Sequence, residues 1–193
     1  YPVSSSLIQS WRKYQTNKAK NWTNDGPSSQ LVQAYRLYTL ALAGYPAKSS
    51  MNRMKNIKDL SNSAKWRLAA AYFLSGKKQT AESMIAGLST HVRKYIDLSY
   101  TYGSDTRDKA MMLETLTLLG KKEEAFKLLK EISEELSSNR FLSTQTTAYS
   151  LIAASLYIEN NEVSENLKYQ FKLNGGKLES ISIKKSISQE DMN

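Results

Sequence analysis

The sequence predicts a mainly α fold, built of helical hairpins stacked in a closed or irregular array. Three observations carry that expectation. Four stretches repeat apolar residues at helical spacing, and three of them run into a glycine: Gly44, Gly76 and Gly120. Gly76-Lys77-Lys78-Gln79-Thr80-Ala81 and Gly120-Lys121-Lys122-Glu123-Glu124-Ala125 read as two copies of one unit, with Met84-Ile85 and Leu128-Leu129 at the same offset. The glycines are 32 and 44 residues apart, too unequal for a tetratricopeptide solenoid, whose period stays near about 34.

The first stretch, 29–44, places Leu31, Ala34, Tyr35, Leu37, Tyr38, Ala41 and Leu42 on one broad stripe. Ser28 or Ser29 is its expected cap, and Gly44 followed by Pro46 ends it. A looser second helix carries Met51, Met54 and Ile57. The next, 64–76, holds Trp66, Ala69, Ala70, Tyr72, Phe73 and Leu74, with Ser61 or Ser63 as cap. Residues 91–103 are rich in β-branched and aromatic side chains and read as an extended excursion. A helix capped at Asp105 then runs to Gly120 with Ala110, Met111, Leu113, Leu116, Thr117 and Leu118 as its stripe. Each glycine should be followed by a shorter amphipathic helix. The last long helix, 144–160, has Ser143 as cap and is expected to turn Ala148, Leu151, Ile152, Ser155 and Leu156 inward. Beyond it Leu167, Tyr169, Phe171 and Leu173 alternate with polar residues, Asn174-Gly175-Gly176 supplies a turn, and Leu178, Ile181 and Ile183 follow, a β-hairpin signature. The expected division is a helical part over 1–163 and the first strands of a β-rich domain or tail over 164–193.

Composition narrows the function. A chain of 193 residues, 40% hydrophobic, can bury about 70% of its unfolded surface in a real core. Its longest apolar run, Leu68 to Leu74, is far below the about 20 residues of a membrane span. With no Cys and a single His, thiol nucleophiles, disulfides, thiolate metal sites and His-rich metal centres fall away. Net charge is +9, and the first sixty residues hold nine basic side chains against two acidic. Arg12, Lys13, Lys18, Lys20, Lys48, Arg53, Lys55 and Lys58 are dispersed among helix formers, as on a solvated face, so neither nucleic acid nor direct membrane contact is expected. Tyr1-Pro2-Val3 does not open a signal peptide, having no basic region before an apolar core.

Candidate chemistry is sparse. His91 sits beside Thr90, Arg93 and Lys94, without a complementary partner, and reads as a structural or surface histidine. Glu131, Glu134 and Glu135 lie within helical reach of Lys127 and Lys130, a salt-laced exposed face. Tyr100 to Asp108 is dense in functional side-chain types but reads as a strand exit, a glycine turn and an Asp cap. Phosphate loops, HExxH and GxSxG are absent from the sequence. No catalytic, cofactor-binding or metal-ligating residue is assigned, and no enzyme activity is expected.

Tyr102-Gly103-Ser104-Asp105-Thr106-Arg107-Asp108, continuing through Leu116, and Leu142-Ser143-Thr144-Gln145-Thr146-Thr147-Ala148, continuing through Leu151, resemble the thioester-domain region of bacterial alpha-2-macroglobulins. The second block is similar to the Ser-Thr-Gln-x-Thr helix start of animal alpha-2-macroglobulins and complement components. Gln33 to Gly44, Met51 to Met54 and Ala64 to Tyr72 fit the same bacterial family. The resemblance implies an incomplete α/α toroid leading into a β-sandwich, as the later part of the thioester-type helical domain of a protease-trapping inhibitor. It marks Tyr102, Gly103, Ser104, Asp105, Arg107, Asp108, Ser143, Thr144 and Gln145 as structural motif residues. The implied partners are proteases, engaged by the full-length parent, and other domains of the same chain. The implied location is the periplasm or cell surface, with no cofactor. Family members often carry a Cys-x-Glu-Gln thioester; without Cys these residues form none. The alternative from another class is a helical-repeat scaffold for protein–protein interaction.

Overall fold

In a computed structural model of the chain, residues 3–97, 102–161, 167–172 and 176–183 are described. The helices are α1 (Ser5–Lys20), α2 (Pro27–Leu42), α3 (Lys48–Lys55), α4 (Asn62–Leu74), α5 (Lys78–Ile85), α6 (Asp105–Leu118), α7 (Lys122–Leu136) and α8 (Thr144–Asn160). Two strands follow, β1 (Leu167–Phe171) and β2 (Glu179–Ile183), paired antiparallel with Leu167 opposite Ile183 and Tyr169 opposite Ile181. Leu173, Asn174 and Gly175, part of the expected hairpin, lie outside the described residues.

Helices α2, α4, α6 and α8 pack side by side in that order. The odd-numbered helices flank this row: α1 and α3 touch each other and α2, α3 and α5 rest on α4, and α7 rests on α6 and α8. With a neighbour on either side, α4 and α6 bury residues around most of their circumference, from Ala64, Leu68 and Ala71 to Ala110, Met112, Leu113 and Leu116. The helices of the row run parallel, because side chains stitch their first turns together at one end. Gln30 of α2 accepts from the Ser61 N–H at 2.8 Å and donates to the Asp59 carbonyl at 3.2 Å. Ser63 of α4 donates to Asp108 of α6 at 3.2 Å, and Ser104 and Thr146 join α6 to α8 at 2.8 Å.

At the other end the three predicted glycine stops share one geometry. Gly44, Gly76 and Gly120 have φ of 82°, 77° and 72°, a region that costs a side-chain-bearing residue energy. Each donates to the carbonyl three residues back, Ala41, Phe73 or Thr117. The next residue, Tyr45, Lys77 or Lys121, donates five back, to Leu40, Tyr72 or Leu116. These are Schellman motifs, and they satisfy carbonyls that a helix end leaves open.

The structure corrects several details. Helix α1 has no clear signal in the sequence; its apolar residues are sparse, and Ala19 alone is fully buried. Pro27 opens α2 behind Gly26, so neither Ser28 nor Ser29 caps it, and Ser29 instead accepts from the Trp22 indole at 2.8 Å. Ser104, not Asp105, caps α6, accepting from the Arg107 N–H at 3.0 Å. Helix α7, with 15 residues, is no shorter than α6, with 14. The inward face of α8 is Thr146, Ser150 and Ala153, with Tyr149 and Tyr157 packed on the core, while Leu151 (57%) and Ile152 (59%) are exposed. Small residues on that face let α6 and α8 approach closely, which the apolar stripe alone did not reveal.

Candidate functional site

The two motif blocks, nearly forty residues apart in sequence, dock on each other at the joined first turns. Ser143 caps α8 as expected, accepting from the Thr146 N–H at 3.2 Å. Its hydroxyl also reaches the Tyr102 carbonyl at 3.5 Å. Tyr102 is the one non-glycine with positive φ among the described residues, at 46°, and this turn brings Gly103 and Ser104 back beside 95–97. There the Gly103 carbonyl accepts from Asp97 N–H at 2.8 Å. Arg107 donates to Gln145 at 3.3 Å and to Asp108 at 3.0 Å. Thr144 stands exposed on the first turn of α8.

Asp105 and Asp108 are buried anchors. Arg140 grips Asp105 with both terminal nitrogens, at 2.7 and 3.2 Å, and reaches Glu135 at 3.0 Å. Burial opposes ionisation of Asp105, but Arg140 outweighs it and holds the carboxyl below its ordinary range. Asp108 accepts from Arg107, Ser63 and the Tyr95 hydroxyl. Burial, reinforced by the Asp108 charge, pushes the Tyr95 phenol upward.

Above this junction lies a second cluster that the sequence reading missed. Arg67 of α4 is fully buried and meets Glu114 of α6 at 2.5 Å. The Tyr38 hydroxyl of α2 donates to the same carboxylate. The guanidinium lies 4.2 Å from the Tyr38 ring centroid, within cation–π range. Burial first, and then Glu114, pushes the Tyr38 phenol up. Among the described residues Nε and Nη2 of Arg67 have no hydrogen-bond partner. The available signal was a single charge inside each of two apolar runs, Trp66 to Leu74 and Ala110 to Leu116, because such charges pair when buried.

Tyr35 of α2 meets Tyr149 of α8 edge-on, their centroids 5.9 Å apart. A flat row of four helices at 8–10 Å spacing would separate the first and last axes by about 25–30 Å, more than two tyrosines can bridge. The row is therefore bent, with these rings on its concave face. Beside them is a cleft of about 270 Å³ lined by Leu31, Val32, Tyr35, Arg107, Met111, Gln145 and Tyr149. It joins the motif junction to the tyrosine pair.

Thr146 Oγ1 joins the Ser104 and Ser143 hydroxyls, which in turn accept from the Arg107 and Thr146 backbone N–H groups at the two helix starts. His91 is exposed, and its backbone N–H donates to the Ser89 hydroxyl at 3.0 Å. Among the described residues no group of His, Cys, Asp or Glu is placed to hold a metal. Glu131 and Glu135 find tertiary partners, Lys109 at 2.6 Å and Arg140, instead of the expected Lys127 and Lys130.

No protein-family profile matches the chain, and no curated protein does. Among solved structures it is similar to Escherichia coli alpha-2-macroglobulin activated by porcine elastase, with a TM-score of 0.62 and 22% identity. The similarity covers 95% of this chain and 18% of that one, so these residues correspond in fold to a small part of a much larger molecule.

Proposed function

We propose that the chain is part of the thioester-type helical domain of an alpha-2-macroglobulin-like endopeptidase inhibitor, lending structure to a protease trap and no catalysis of its own. The observation that carries this reading is the fold similarity to an alpha-2-macroglobulin over 95% of the chain. The docking of Tyr102–Asp108 on Ser143–Gln145 supports it, because both blocks resemble that family in sequence. On this reading the bent row is a sector of an α/α toroid, and β1 and β2 open a β-sandwich. The parent is exported to the periplasm or cell surface, and its partners are proteases and its own other domains. The buried pair Arg67–Glu114 and the partly buried pair Asp105–Arg140 keep the sector rigid while the trap changes shape around a bound protease.

The test is incubation of the full-length parent with a serine protease such as elastase. Cleavage of the parent, compaction in native gels and loss of protease activity toward large protein substrates, with peptide hydrolysis retained, are expected. Undiminished activity toward large substrates would overturn the proposal.

A further inference from the structure

The basic first third acquires a shape in the structure. Helices α1 and α3 lie together, since Arg12 stacks 4.0 Å from the Tyr45 ring just ahead of α3, and Arg53 of α3 donates to the Ala19 and Trp22 carbonyls at the end of α1. Lys13, Lys18, Lys20, Lys48, Lys55 and Lys58 are all exposed on these two helices and the turn after α3. None has a carboxylate in ion-pairing range among the described residues. From Tyr1 to Lys58 the sequence contains one acidic residue, Asp25.

We infer that this α1–α3 face docks on an anionic phospholipid surface. Such docking is independent of the protease-trap reading and departs from the expectation that these residues touch no membrane. Two features favour a bilayer over a soluble polyanion. The two arginines, whose planar forks suit specific phosphate or carboxylate recognition, are already engaged by a ring and by carbonyls. What is left over is a spread of lysine point charges, which sense a field more than a single ligand. Alongside them α1 exposes Leu7 (60%) and Tyr14 (58%), seven residues apart on one flank, with Lys18 5.5 Å from the Tyr14 ring. A lipid interface accepts apolar and cationic side chains together, whereas nucleic acid or an acidic peptide in water offers little to an exposed leucine.

Co-sedimentation of the 193-residue chain with vesicles of phosphatidylcholine, with and without about 30% phosphatidylglycerol, reads this directly. Binding to the anionic vesicles alone is expected, falling about tenfold or more near 0.5 M NaCl. The Lys13→Glu, Lys20→Glu, Lys48→Glu variant should lose it with an unchanged circular dichroism spectrum. Leu7→Ser with Tyr14→Ser should weaken vesicle binding severalfold while leaving any retention on RNA or poly-glutamate untouched. Equal binding to neutral vesicles, indifference to the charge reversals, or preference for RNA or poly-glutamate over anionic vesicles would overturn the inference.

Discussion

Arg67 and Glu114 place opposite charges in the interior, Arg67 fully buried and Glu114 nearly so, and the two residues are of value only together. Removing Glu114 strands a guanidinium two of whose nitrogens already lack a hydrogen-bond partner among the described residues, and removing Arg67 leaves the carboxylate its Tyr38 hydroxyl bond without the opposite charge. Glu114→Leu or Arg67→Met should each destabilise the chain by about 3–5 kcal/mol, while the double variant recovers most of the loss; denaturant midpoints measure both. A double variant no more stable than the singles would show that the cost arises from lost packing and not from a stranded charge. The sequence displayed each charge plainly, but pairing across forty-seven positions depends on α4 and α6 lying side by side, a relation that periodicity does not encode. Asp105 was legible as a helix-start residue and misplaced by one position: Ser104 and Asp105 are both good caps, and in the structure Ser104 caps α6 while the Asp105 carboxylate pairs with Arg140.

At the scale of the element, helix ends were easier to read than helix faces. The stops at Gly44, Gly76 and Gly120 were visible because the backbone conformation there disfavours residues with a side chain. Gly120→Ala should cost about 1–2 kcal/mol although nothing crowds an added Cβ, since the penalty lies in φ and not in space. Ser143→Ala should cost about 1 kcal/mol through the lost cap of α8 and should also release the Tyr102 carbonyl. Hydrogen exchange at the start of α8 separates that local effect from global unfolding, and unchanged protection there would contradict it. The inward face of α8 escaped the sequence reading because both of its sides are apolar, and the face with the small residues is the one that packs.

Across the whole molecule, curvature concentrates phenols on one face. Tyr38 and Tyr149 are pushed above their ordinary value of 10.0, in each case chiefly by burial, so the fold holds them neutral. Their stabilising contribution is complete below about pH 10 and is lost as pH climbs from there toward the raised folded-state values. The thermal midpoint should therefore drop above about pH 10, and Tyr149→Phe should flatten that drop; an unaltered slope would count against the tyrosine face as its origin. The repeated units led to the expectation of helical hairpins in a closed or irregular array, whereas the meeting of α2 and α8 through Tyr35 and Tyr149 arises from how four faces fit and was not legible. The three Schellman corners have an effect on the molecule as a lineage. Backbone bonds alone set the exit direction at each corner, and the return path between corners lengthens by twelve residues from the first interval to the second without altering the turn. The returns, and the stretch before α6 above all, are thus where insertions and deletions can accumulate while the row keeps its register.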